Sequence, residues 1–188
     1  MFLLRALSGL QVRALLSEPI ANPASLGGFR ATEGVLSLVR SIRRAAGPSE
    51  HLAWHELACH DGTPYPLEWR ESRGIALAAE FEAIREACGN RPIRVLSAYR
   101  TEDHNTAVGG SKHSQHIEGR ALDLAPPDGM TLEEFWRTAN HVAGERKVIR
   151  GLGLYGSFVH IDIRPGKRVR KWSGSRALAE LRQQEADR

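Results

Sequence analysis

The sequence has few of the residues that typify a disulfide-stabilised or zinc-finger protein. It contains two cysteines, Cys59 and Cys88, and neither lies in a CxxC or CxxH pattern. Two cysteines do not make a disulfide framework, so both are predicted to be buried thiols, with a single disulfide between them as the alternative. The fold is therefore expected to depend on a hydrophobic core, which a chain of 188 residues can build.

Aromatic residues and long apolar runs are also scarce. Aromatic side chains make up 6% of the chain, and no helix-turn-helix, finger or aromatic-rich RNA-binding motif occurs in it. Arg5 and Arg13 interrupt the apolar stretches near the N-terminus, which leaves no signal-peptide core and no run long enough to span a bilayer. These absences argue against a specific nucleic-acid partner and against a transmembrane segment.

The charge balance is moderately basic, with a formal net charge of +4. Such a balance admits an anionic partner such as nucleic acid, a membrane or a bacterial cell wall, but a set of solvated basic faces is the favoured explanation. Charge alone therefore identifies no partner.

The pattern of elements predicts three parts. Residues 1–48 are expected to form an N-terminal helical segment and linker, residues 49–175 a compact α+β domain, and residues 176–188 a charged C-terminal helix or tail. In the domain, "RGIALAAEFEAIREACG" has the period of a helix, and a second helix over 131–143 opens with a capping box of Thr131 and Glu134. Strands are predicted in "PIRVLSAYR", "RALDLAPP" and "FVHIDIRP", the last preceded by a glycine turn in "GLGLYG".

Two of these strands carry polar side chains on one face. Alternation in "FVHIDIR" places His160, Asp162 and Arg164 together, and alternation in "RALDLA" flanks Asp123 with alanines. His116 lies seven residues before Asp123, just ahead of a turn at Gly119, and could converge with Asp123 and with His160. Two imidazoles and a carboxylate suit zinc and leave a fourth position for water, but spacing alone favours ordinary hydrogen bonds.

The order of three motifs resembles a known enzyme family. "VLSAYRTEDHN", "SQHIEGRALDL" and "GLYGSFVHIDIRP" follow one another as in the zinc D,D-carboxypeptidases and L-alanyl-D-glutamate peptidases, which cut the stem peptides of bacterial peptidoglycan. The resemblance extends from about residue 51 to 172. Within the family, the motifs are most similar to those of phage endolysins and bacterial cell-wall hydrolases. It implies an α+β fold with a small antiparallel sheet and flanking helices, shared with the hedgehog signalling domain.

The resemblance also implies a role for individual residues. One zinc ion per chain would be bound by His116, Asp123 and His160. Arg100 would hold the substrate and the developing oxyanion, since a fixed cation stabilises the negative charge of a tetrahedral intermediate; a surface ion pair with Glu102 or Asp103 is the alternative. The substrate pocket would be shaped by Ser114, Gln115 and Tyr155.

The sequence departs from the family pattern at the general base. Many members place an acid three positions before the last ligand, where this chain has Ser157. Asp162 is the first candidate to replace it, with orientation of a ligand imidazole or an ion pair with Arg164 as its other roles. His113, on a glycine-flanked loop, is the second candidate.

The predicted function is that of a zinc peptidase acting through a metal-activated water on a peptidoglycan bond that involves a D-amino acid. The alternative is an inactive metal-binding module of the same fold that recognises cell wall, for which the missing acid at Ser157 argues. Action at the cell wall (periplasmic, extracellular or after release at phage lysis) is expected. Exo- or endopeptidase specificity and oligomeric state stay open.

Overall fold

The computed structural model describes residues 47–174. Short 3₁₀ and π turns (Trp54–Leu57, Leu67–Trp69 and Arg70–Gly74) precede the regular elements. The α-helices of this part of the chain are α1 (Ile75–Ala87), α2 (Glu102–Ala107) and α3 (Leu132–Arg146). Its strands are β1 (Val95–Ser97), β2 (Ala121–Leu124), β3 (Gly151–Leu154), β4 (Val159–Asp162) and β5 (Arg170–Ser173).

The strands form one sheet in the order β1-β2-β4-β3-β5. All neighbouring pairs are antiparallel except β3 and β5, which are parallel. Alternate side chains of β2 and β4, among them Leu122, Leu124 and Ile161, join the hydrophobic core that the sheet shares with the helices. The predicted α+β fold with a mainly antiparallel sheet and flanking helices is confirmed.

The two long helices form where their sequence patterns predict them. Helix α1 buries Leu77, Phe81 and Ile84 and packs against α3. An ion pair joins the two helices: the buried Glu80 carboxylate of α1 lies 2.8 Å from Arg146 Nη2 of α3. The capping box of α3 is present: the Thr131 hydroxyl accepts the backbone N–H of Glu134, whose carboxylate accepts the N–H of Thr131. This helix continues three residues beyond its predicted end, to Arg146.

The glycine turn predicted in "GLGLYG" is wrong, because Gly151–Leu154 is strand β3. Its glycines lie inside the sheet, where neighbours occupy the space of a side chain. A Cβ on Gly151 would lie 2.0 Å from the Asp162 carboxylate, and one on Gly153 would lie 2.6 Å from the indole of Trp172. Strand β5, which carries Trp172, was not predicted at all, since its basic residues gave no apolar alternation.

Several predictions fall outside residues 47–174, namely the N-terminal helical segment and linker and the C-terminal helix or tail. Within the described range, Cys59 and Cys88 are both buried and free, as predicted. None of the helices in that range is long and apolar enough to cross a membrane.

Candidate metal centre and substrate cavity

Three predicted residues come together in the structure: His116, Asp123 and His160 are all buried and offer converging donor atoms. The Asp123 Oδ1 atom lies 3.1 Å from His116 Nε2 and 2.8 Å from His160 Nδ1, and the two ring nitrogens are 3.2 Å apart. Ligands held tetrahedrally at the ~2.0–2.1 Å typical of zinc lie roughly 3.3 Å from one another. The spacing and the chemistry of the donors therefore fit one Zn²⁺ ion.

The sheet register explains why these donors meet. Asp123 on β2 lies directly opposite His160 on β4, on the face away from the core residues Leu122 and Ile161. His116 precedes β2 in a tight turn closed by Gly119, whose backbone has φ +60° and whose N–H donates to the His116 carbonyl. The turn returns the His116 ring to Asp123, seven residues later in the chain.

Hydrogen bonds on the far side of each imidazole determine which nitrogen faces the centre. His116 Nδ1 donates to the Ala98 carbonyl, and His160 Nε2 donates to the Asp162 carboxylate at 3.2 Å. This assignment leaves His116 Nε2 and His160 Nδ1 directed at Asp123 with lone pairs available to a metal.

The electrostatics of the centre favour a cation. Burial lowers the pKa of His116 although the neighbouring Asp123 carboxylate acts to raise it, so this ring is neutral near pH 7. Burial also acts to lower the pKa of His160, but hydrogen bonds with Asp123 and Asp162 outweigh it and raise that pKa. Burial would raise the pKa of Asp123, yet its hydrogen bonds with the two histidines lower it.

Asp162 lies behind His160 and is fully buried. Both of its oxygens accept hydrogen bonds from Arg164: Oδ1 accepts one from Nε–H at 2.8 Å, and Oδ2 accepts one from Nη2–H. Oδ2 also accepts the hydrogen bond from His160 Nε2. Burial raises its pKa, but the hydrogen bonds from Arg164 outweigh that effect and lower it to about 2. Asp162 does not line the cavity, so among the roles considered for it, this geometry favours orientation of His160 and the ion pair with Arg164.

Arg100 contacts the metal centre through the carboxylate of Asp123. Its Nη2 donates to Asp123 Oδ2 at 2.7 Å and its Nε donates to the Ser97 hydroxyl at 2.9 Å. The guanidinium is therefore paired with Asp123 and not with Glu102 or Asp103, the alternative partners that the sequence left open. It also lines the cavity beside the metal centre.

The centre opens into a cavity of about 590 Å³. Its described walls include a loop with His113, Ser114 and Gln115, an aromatic side with Tyr155, Phe158 and Trp172, and the arginines Arg100, Arg164 and Arg170. Asp123 is the single carboxylate among these lining residues, and the exposed Ser157 is not one of them.

The peptidase M15 family matches residues 50–162, which is more than half of the chain and includes every residue of the converging donor set. The chain belongs to the peptidase M15 family. The family resemblance predicted from the motifs is thereby confirmed, and its subgroup stays a prediction.

A curated relative of this M15 protein is the zinc D-Ala-D-Ala carboxypeptidase of Streptomyces albus G. The two sequences are 30% identical over 98 residues, which cover 42% of this chain and 38% of the relative. The chain thus matches well under half of the relative's length.

The predicted site residues of the M15 protein all lie at or next to the cavity. The substrate residues Ser114, Gln115 and Tyr155 line it, and the side-chain oxygen of Gln115 is buried without a hydrogen-bond partner. Sequence reasoning missed the contribution of Trp172 to the cavity. Trp172 donates its indole N–H to the Tyr155 hydroxyl at 2.9 Å and lies 5.2 Å from the His160 ring, centroid to centroid. The sequence signal that could have identified this residue is a tryptophan, Trp172, that directly follows the basic residues Arg170 and Lys171.

Proposed function

We propose that this M15 protein is a zinc-dependent peptidase that hydrolyses peptidoglycan stem peptides at a bond involving a D-amino acid. The convergence of His116, Asp123 and His160 at the base of an open cavity carries the proposal. The family and the printed activity of the Streptomyces relative support the substrate class. Such a substrate implies action at the cell wall, outside the cytoplasm.

The three converging residues, all of which line the cavity, would hold the zinc ion. When bound, zinc supplies Lewis-acid activation of water near neutral pH. Arg100 would keep Asp123 oriented through Oδ2 and present its positive charge to the oxygen of the scissile carbonyl, where negative charge develops. Asp162 would hold His160 in the tautomer that directs Nδ1 at the centre.

His113 is the proposed proton acceptor. It lines the cavity on an exposed loop, whereas Asp162 is buried behind His160 with its oxygens hydrogen-bonded. Imidazole is the side chain that most often serves as a general base in enzymes. Ser114, Gln115 and Tyr155 would contact the bound peptide.

A second candidate is a metal-binding module that recognises cell wall without cutting it. The specific observation behind it is that Asp123 is the single carboxylate among the described residues that line the cavity. If His113 does not accept the proton, the described part of the cavity lining offers no carboxylate except the metal-binding Asp123, and the fold would bind without turnover.

Metal analysis and product analysis together test the proposal. Purified protein reconstituted with zinc should contain about one ion per chain, and incubation with defined muropeptides should give products that differ by one hydrolysed bond in mass spectrometry. Product masses also decide between exo- and endopeptidase cleavage. Zinc binding without any product would favour the recognition module, and failure to take up zinc would refute both functions. A His113→Ala variant that cleaves normally would remove that residue from its proposed role.

A further inference from the structure

One wall of the cavity lies beyond the family match. The match ends at residue 162, whereas Arg164, Arg170 and Trp172 line the cavity and follow that point in the chain. Arg170 and Trp172 lie on β5, which pairs in parallel with β3 and so closes this side of the sheet. This β5 wall (Arg164, Arg170 and Trp172) therefore belongs to the cavity without belonging to the matched family segment.

Within residues 47–174, the β5 wall carries a positive charge that is not neutralised by an ion pair. Arg100 is paired with Asp123, and Arg164 is paired with Asp162. Arg170 is exposed and has no ion pair among the residues of the described range. Of the three arginines described at the cavity, Arg170 is thus the one without an acidic partner, and its N–H groups can donate to a ligand.

The rest of the wall is aromatic and held in place. The Trp172 indole is tied to the Tyr155 hydroxyl at 2.9 Å, Tyr155 is stacked on Phe158 at 4.5 Å between ring centroids, and Arg164 lies over the Trp172 ring at 5.4 Å. The missing side chain of Gly153 makes room for the indole, which contacts the His160 side of the metal centre. A ligand group at Arg170 would therefore lie along a fixed apolar surface that leads to the reaction centre.

We propose that Arg170 binds a free carboxylate of the peptide substrate while Trp172 packs against the adjoining aliphatic part. The proposal rests on the peptidase function and narrows its substrate class to peptides with a carboxylate near the bond that is cut. A guanidinium forms short, charge-assisted and often bidentate hydrogen bonds with a carboxylate, which makes an anion the matching ligand. Arg170 is a specificity residue and takes no part in bond cleavage.

The test uses the full-length, zinc-loaded protein and one stem peptide in three forms. The first form keeps all carboxylates, the second has its C-terminal carboxylate amidated, and the third has its acidic side chain amidated. The wild type is compared with Arg170→Ala and with the matched control Arg168→Ala, which removes the same charge from an exposed position that does not line the cavity.

We expect Arg170→Ala to raise KM about tenfold for the unmodified peptide with little change in kcat, a ratio equivalent to ~1.4 kcal/mol. Arg168→Ala should leave KM unchanged. One amidated peptide should already show the raised KM with the wild type, and Arg170→Ala should add nothing to it. The position of that amide identifies which carboxylate Arg170 binds.

Equilibrium binding of the same peptides, measured by calorimetry, separates this proposal from the peptidase function. If the protein binds the peptides with the expected preference but does not cut them, the proposed role of Arg170 stands and the proposed peptidase function is refuted. Equal affinities for all three peptides, or equal losses in Arg170→Ala and Arg168→Ala, would overturn the Arg170 role whatever the cleavage result.

Discussion

Substitution of Asp162 by asparagine gives the sharpest test of how the centre is organised. In the wild type, Oδ2 faces both His160 Nε2 and Arg164, while Oδ1 accepts two further N–H groups of Arg164. An asparagine has one oxygen and one N–H₂ group at these positions, so it cannot accept from both partners. Either its amide nitrogen faces Arg164 and that ion pair is lost, or its amide nitrogen faces His160 and no longer fixes the tautomer of that ring.

The expected loss is one of metal affinity. Removal of the carboxylate behind a metal-binding imidazole typically weakens binding by ~10–100-fold, or ~1.4–2.7 kcal/mol. The zinc dissociation constant of Asp162→Asn should rise within this range in a competition titration against a chelator. Most of the peptidase activity should return when zinc is added in excess, because the proposed proton acceptor, His113, is unchanged.

Asp128→Asn is the matched control, since it makes the same chemical change at an exposed position outside the cavity. Its zinc affinity should equal that of the wild type. If Asp162→Asn instead keeps wild-type zinc affinity but loses ~10²–10⁴-fold in rate at saturating zinc, the usual effect of removing a general base, then Asp162 accepts the proton and the positioning argument is refuted.

Three further predictions follow from the centre and from the sequence. His116→Ala should abolish zinc uptake measured by elemental analysis, whereas the exposed His141→Ala should retain it; equal uptake would exclude His116 as a ligand. Because the pKa of Asp162 is lowered from 3.8 to about 2, its contribution to stability is complete above its unfolded pKa and is lost as pH falls through the folded one. Urea unfolding of the zinc-free protein should therefore show a loss of about 2 kcal/mol on acidification that Asp162→Asn lacks, and parallel pH profiles would contradict this. Deletion of residues 1–46 should preserve zinc content and cleavage of a soluble muropeptide but remove salt-sensitive binding to intact wall, since arginines leave with the segment; an insoluble product would contradict the predicted independence of that segment.

Local pattern in the sequence determined much of the fold. The period of the apolar residues predicted α1, and the Thr131 and Glu134 capping box predicted the start of α3, because both depend on contacts within a few turns of one helix. Alternation in the strands predicted that His160 and Asp162 would share a face and that Asp123 would be flanked by small residues. Motif order then led to the family and to the three converging donors.

Only the tertiary structure decided what depends on strand pairing. The β2–β4 register places Asp123 opposite His160, and the neighbouring β3 supplies Gly151, whose lack of a side chain leaves room for Asp162. The sequence could put Asp162 on the same side as His160 and offer Arg164 as its ion-pair partner, but the full burial that separates Asp162 from the cavity comes from its neighbours in the sheet. Trp172 reaches His160 across Gly153, a contact between distant segments that no local periodicity encodes.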